Sequence, residues 1–316
     1  MKSRKQYYLH GLYSYIKDIG DRAINSGMDI IIWGYSKGGA FLRYLLENYD
    51  QRIHIAYIID QAMQIPVNCE PKIYRSSILE YIDGSKYILL STIKSYQTVC
   101  KVAESYGFVE GRNLFDVRSK IGVSYIDYLQ ISNGNLDFTS VTEKERPDVY
   151  SKPDIVISTP FEMTCLDRVF NEIIEIEDDI KFFDYGCGKG QVLLAAYING
   201  IDKIKGIELV PEIANMGMSN MAELHIPGEI ICGDATTYND IDDVNVFFFN
   251  NPFTGSVFER VYLNIADSYG RNKRRIHIIY LNPYCNSIIK RNELFKLKRQ
   301  LYVDMGDPLA NIYSNE

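Results

Sequence analysis

Short apolar blocks alternate with longer amphipathic stretches along most of this chain. Ile30-Ile31-Ile32-Trp33 and Phe247-Phe248-Phe249 are blocks of strand length, and runs of this kind read as strands buried on both faces. In the first half the pattern predicts a helix over 4–26, a strand at 29–33, a helix at 37–49 and a strand at 53–59. A helix at 76–82, a strand at 86–91 and a helix at 93–106 follow. The second half is more regular. A lead-in helix at 160–176 precedes strands at 181–185, 203–208, 229–233, 244–249 and 275–281. Helices at 190–199, 211–224, 255–268 and 285–293 intervene or follow, and 295–304 with 309–314 reads as a closing strand pair. Alternating strands and helices imply parallel pairing, so the expected class is α/β, with two doubly wound Rossmann-like domains. The closing pair would add an antiparallel strand to the second.

The segment from Ser140 to Lys152 is polar, carries charges of both signs and a proline, and lacks an apolar period. A boundary is expected there, giving an accessory domain over 1–145 and a second domain over 150–316. Each half is long enough to bury a core of its own.

Composition limits the setting and the partners. Hydrophobic residues make up 46% and charged residues 24%, as in soluble globular proteins. No apolar run approaches the ~20 residues of a membrane span. No hydrophobic signal core follows the basic first residues, so a cytoplasmic protein without a membrane partner is expected. The six cysteines are scattered, with no Cys-x-x-Cys pair and no histidine at ligand spacing, which reads as reduced thiols and no metal site. A net charge of −7 and a pI of 5.3 argue against nucleic acid as a partner, because a phosphate footprint needs many Lys and Arg. One basic cluster, Arg271 to Arg275, stands against that trend and reads as a solvated loop before a strand. His277 sits within a predicted strand and reads as a core residue.

The main chemical signal begins at Phe182. An apolar strand runs through Asp184 and Tyr185 into Gly186-Cys187-Gly188-Lys189-Gly190, and a helix opens at once with Gln191-Val192-Leu193. Glycines there permit a tight turn and close approach of the backbone to a ligand. That triplet alone also suits a dinucleotide. Strand 203–208 ends in Glu208, twenty-two residues after Gly186, where a carboxylate can accept from both hydroxyls of a ribose. Strand 229–233 ends in Gly233-Asp234-Ala235, where an acid can accept from an adenine amino group. The fourth strand ends in Asn250-Asn251-Pro252-Phe253.

These four motifs, in this order, resemble those of class I S-adenosylmethionine-dependent methyltransferases, over about residues 155–316. The resemblance implies S-adenosylmethionine as cofactor. Asp184, Tyr185 and the backbone of Gly186, Gly188 and Gly190 would surround its methionine portion, Glu208 would hold the ribose, and Asp234 with Ala235 the adenine. Thr159-Pro160 resembles a further motif that touches the cofactor carboxylate in amino-group methyltransferases, and a helix cap explains Thr159 equally well. Asn250, Pro252 and Phe253 resemble the Asn-Pro-Pro-Phe/Tyr motif of enzymes that methylate planar amino groups, with Asn250 also near the cofactor. Here Asn251 replaces the first proline, which leaves the amino-group assignment open. Asn282-Pro283-Tyr284 ends the fifth strand as a second Asn-Pro-aromatic triplet.

In the first half, Trp33-Gly34-Tyr35-Ser36-Lys37-Gly38-Gly39 is again strand, glycine turn and helix, with Asp60 twenty-six residues after Gly34. This is similar to small Rossmann-type domains of proteins that handle nucleotide-linked sugars, and it implies a nucleotide or nucleotide-sugar at Gly34–Gly39. Its Gly-x-x-x-Gly-Gly spacing departs from the dinucleotide fingerprint, and the competing reading is a fold kept for packing or homo-oligomer formation. Three functions follow. The favoured one is methyl transfer from S-adenosylmethionine to a small molecule or sugar-like metabolite. The alternatives are an amino-group methyltransferase acting on protein or nucleic acid, and a non-catalytic cofactor-binding regulator or scaffold.

Overall fold

A computed structural model describes residues 4–61, 71–141, 148, 154–156, 161, 163–302 and 308–316. The chain divides into two compact units, Arg4–Gly134 and Asn135–Glu316.

The first unit opens with helices α1 (Arg4–Tyr8) and α2 (His10–Ser26), where one continuous helix was expected. Strands β1 (Asp29–Trp33), β2 (Ile55–Ile59), β3 (Ile73–Tyr74), β4 (Tyr87–Ser91) and β5 (Leu114–Asp116) form one parallel sheet in the order β3-β2-β1-β4-β5. Helices α3 (Lys37–Tyr49), α4 (Tyr96–Ala103), α5 (Arg118–Ile121) and α6 (Tyr125–Ser132) complete the unit. From Ile30 to Trp33 every residue of β1 is buried, as a central parallel strand covered on both faces requires. Ile31, Trp33, Ile59 and Leu89 share a core with Val99 and Ala103 of α4. The helix expected at 76–82 is a 3-10 helix over Ser76–Tyr81, and that expected at 93–106 is α4 followed by a 3-10 turn. The short strands β3 and β5 were not expected, because two or three residues carry no period.

The second unit contains α7 (Met163–Ile176), β6 (Lys181–Tyr185), α8 (Gln191–Ile198), β7 (Lys203–Glu208), α9 (Pro211–Glu223) and β8 (Glu229–Cys232). Then come β9 (Val246–Asn250), α10 (Gly255–Arg271), β10 (His277–Leu281), α11 (Asn286–Arg291), β11 (Lys296–Tyr302) and β12 (Pro308–Ser314). Its sheet runs β11-β12-β10-β9-β6-β7-β8. Every pairing is parallel except those of β12 with β10 and β11. This is the doubly wound α/β fold with a closing antiparallel strand. Phe247 and Phe249 point into the core that Phe258 and Tyr262 of α10 complete. Phe248, between them, packs on Phe170 of α7 and Phe182. One triplet thus feeds both layers, as the two-residue period of a strand dictates. Among the described residues, no helix is long and apolar enough to cross a membrane.

Candidate active site

Strand order in the second unit reverses between β6 and β9, and such a switch point opens a crevice at the carboxyl ends of the strands. A cavity partly open to solvent lies there. Asp184, Gly186, Glu208, Asp234 and Ala235 line it, as do Asn250, Pro252 and Phe253. These residues lie up to sixty-nine positions apart and meet because four strands end together. Tyr185, Gly188 and Gly190 do not line it. Strand alternation turns Tyr185 to the opposite face, where its ring stacks on Phe249 at 4.9 Å. Thr159 and Pro160 lie outside the described residues.

The turn after β6 depends on Gly186. Its φ of +70° is left-handed, and a Cβ there would come within 2.4 Å of the Pro252 Cβ. Bare backbone is therefore needed where the glycine turn meets the loop after β9.

Two carboxylates are buried in the cavity wall. Glu208, 7% exposed, accepts from the Gly188 N–H at 3.1 Å through Oε2 and from the Val210 N–H at 3.0 Å through Oε1. Each oxygen accepts from a backbone amide, the Leu209 amide adds to these, and lone-pair capacity remains. Burial raises the Glu208 pKa, opposed by those amides. Asp184, 2% exposed, is raised further, by burial first and then by the neighbouring Glu208 charge. Ionising both costs free energy that a cation or hydroxyl donors would return. Asp234 differs: it is exposed, and its Oδ1 accepts from the Thr236 N–H at 2.8 Å and the Thr236 hydroxyl at 2.7 Å.

Beyond the acids, the loop after β9 forms another wall. Asn250 Oδ1 accepts from Asn282 Nδ2 at 3.2 Å, joining the loops that follow β9 and β10 at the carboxyl ends of the strands. Asn251 and Asn282 each have a left-handed backbone, with φ of +49° and +46°, a conformation asparagine tolerates better than most residues. The Pro252 carbonyl accepts from the Val156 N–H at 3.2 Å. Phe253 is almost wholly buried, edge-on to Phe249 and Tyr185. Tyr284, by contrast, is 78% exposed and does not line the cavity.

Several lining residues carry no motif. Phe138, Thr139 and Val141 come from the chain before the predicted domain start, and Lys189 occupies a variable position of the glycine turn. The alternation Leu136-x-Phe138 around Asp137 and Thr139 was the available signal. His277 is buried at the start of β10, at the opposite end of the strand from Leu281. Burial lowers its pKa against the nearby Glu177 carboxylate, at 3.5 Å.

The glycine turn of the first unit is built differently. Asp60 Oδ2, just after β2, accepts from the Tyr35 N–H of the turn at 2.7 Å. A Cβ on Gly39 would come within 2.0 Å of the Gly34 carbonyl oxygen, and one on Gly38 within 2.9 Å of Val123 Cγ1. Both glycines let α3 pack closely against its surroundings, with no room for a side chain.

No described protein family matches the chain, and no curated protein sequence matches it. Similar solved structures include the yhhF protein of Escherichia coli, described as a methyltransferase, at 17% identity. That match covers 52% of this chain and 91% of that one, with a TM-score of 0.41. The magnesium protoporphyrin IX methyltransferase of Synechocystis is 12% identical over 48% of this chain and 77% of its own, with a TM-score of 0.36. The Pyrococcus abyssi tRNA (uracil-54, C5)-methyltransferase is 13% identical over 46% of this chain and 36% of its own, also at 0.36.

Proposed function

We propose that the second unit binds S-adenosylmethionine in this cavity and transfers its methyl group to a small-molecule or sugar-like acceptor. The observation that carries this reading is the meeting of Asp184, Glu208, Asp234 and the Asn250 loop around one cavity at the switch point. The residues fit the cofactor. Glu208, oriented by backbone amides, has lone pairs for two neighbouring ribose hydroxyls. Val210 and Ile213 offer an apolar wall beside it for a purine, whose amino group suits Asp234. Asp184 is buried and raised in pKa, a setting that favours a cationic group such as an amine. When bound, the cofactor supplies an electrophilic methyl group on a sulfonium.

What the chain contributes is position. Methyl transfer is an in-line displacement, and aligning the partners supplies much of the acceleration. Asn250 would hold the acceptor at the rim, with Pro252 and Phe253 fixing the loop against Gly186. The basic cluster supports a small acceptor over nucleic acid. Arg271 pairs with Asp242, Arg274 donates to the carbonyls of Ile241, Val244 and Asn272, and Arg275 pairs with Glu316. These guanidiniums serve the fold. Asn250 keeps the amino-group reading as the second choice.

The test is methyl transfer from labelled cofactor to separated metabolite, protein and nucleic-acid pools. Label in the metabolite pool is expected. Label in macromolecules alone overturns the acceptor assignment, and cofactor binding without transfer to any pool favours the regulator reading.

A further inference from the structure

Resting on that cofactor reading, we propose that Asp137 and Asn220 are positioning residues of the methyl-donor site. They fasten residues 135–141 as a wall of the cavity and hold Lys189 within it. Phe138, Thr139, Val141 and Lys189 line the cavity, whereas Asp137 and Asn220 do not. Any influence these two have on a ligand must pass through their partners.

The fastening is a set of side-chain bonds. Lys189, with its side chain 9% exposed, donates from Nζ to Asp137 Oδ2 at 2.8 Å and to the Thr139 hydroxyl at 3.0 Å. The other Asp137 oxygen accepts from the Thr139 N–H at 2.9 Å and the Thr139 hydroxyl at 2.7 Å, closing a tight turn around Phe138. Asn220 is buried in α9. Its Oδ1 accepts from the Asp137 N–H at 3.0 Å, and its Nδ2 donates to the Asp137 carbonyl at 2.7 Å and the Lys189 carbonyl at 3.0 Å. One asparagine side chain thus ties together the segment, the glycine turn and α9. Farther along, Val141 packs on Val210 and Ile213, just beyond Glu208. The segment therefore runs from the glycine turn to the apolar wall beside the ribose acid. Asp137 and Asn220 bridge two walls of one cavity. A ligand that packs against both walls is linked to the fastening, because it favours the arrangement in which they stand together.

Calorimetry with S-adenosylhomocysteine on the full chain tests this, alongside Asp137→Ala, Asp137→Asn and Asn220→Ala. The Asp137 side chain is 43% exposed, so its variants should fold even if the buried Asn220→Ala does not. Affinity is expected to fall about tenfold in Asp137→Ala. In Asp137→Asn, which keeps an acceptor for Thr139 but loses the charge that meets Lys189, the fall should be smaller. Amide exchange supplies a second readout. The ligand should protect residues 136–141 in the parent protein and protect them much less in Asp137→Ala. Parent-like affinity and parent-like protection in a folded Asp137→Ala overturn the proposal while leaving the cofactor reading intact. Failure of the parent protein to bind the probe overturns both.

Discussion

At the scale of residues, the proposed site turns on Glu208 and Asp184, two buried acids at the ends of adjacent strands. Glu208→Ala should weaken S-adenosylhomocysteine binding by about 1.5–3 kcal/mol, the range for hydrogen bonds to a charged group. Calorimetry on the folded variant measures it, and unchanged affinity removes the ribose assignment. The raised pKa values of both acids also predict a pH dependence. The folded ligand-free chain binds more protons than the unfolded chain once pH passes the ordinary carboxylate range, about 4. Its stability contribution from these groups should therefore fall as pH rises through the raised folded values. Cofactor affinity should move the opposite way over the same window, because binding favours the ionised acids. Thermal melts with and without S-adenosylhomocysteine across that window check both signs. Asn250→Ala belongs here too: turnover should drop while cofactor affinity stays nearly intact.

Elements meet at this site through backbone as much as through side chains. The glycine turn between β6 and α8 touches the loop after β9 at Gly186 and Pro252. Gly186→Ala would put a Cβ on a left-handed residue, at a cost of about 1–3 kcal/mol. It would also drive Pro252 away from the turn and shift Asn250. The expected result is a lower melting temperature together with loss of cofactor binding, although the substituted side chain is a single methyl group. Parent-like binding in Gly186→Ala would show that the two loops move independently. The glycines of the first unit act on the same principle with a different result. Gly39 lets the start of α3 lie directly on the Gly34 carbonyl, so bare backbone sets how closely helix and strand approach there.

For the whole molecule, the division falls between Gly134 and Asn135. Residues 135–141 belong to the second unit, ahead of the expected domain start at residue 150. We expect a fragment beginning at Asn135 to bind S-adenosylhomocysteine with nearly the affinity of the full chain. A fragment beginning at residue 150, lacking Phe138, Thr139 and Val141, should bind it more weakly by tenfold or more. Equal affinity in the two fragments would remove the segment from the site.

Sequence alone determined what is local and periodic. The strands β1, β6 and β7 and the helix α3 have the bounds that their patterns predict, because apolar runs, a helical period and glycine turns are written in adjacent residues. The positions of Asp184, Glu208, Asp234 and Asn250 at strand ends were legible for the same reason. Tertiary structure decided what depends on distant partners. Tyr185 faces the core because strand alternation sets its side, and Asp60 occupies the Tyr35 amide because β1 and β2 pair in one register. Lys189 lines the cavity and Asn220 bonds to its carbonyl and to that of Asp137, contacts that no sequence spacing announces. A single hydrogen-bonded side chain inside a helix has no period to announce it, so its role exists only in three dimensions.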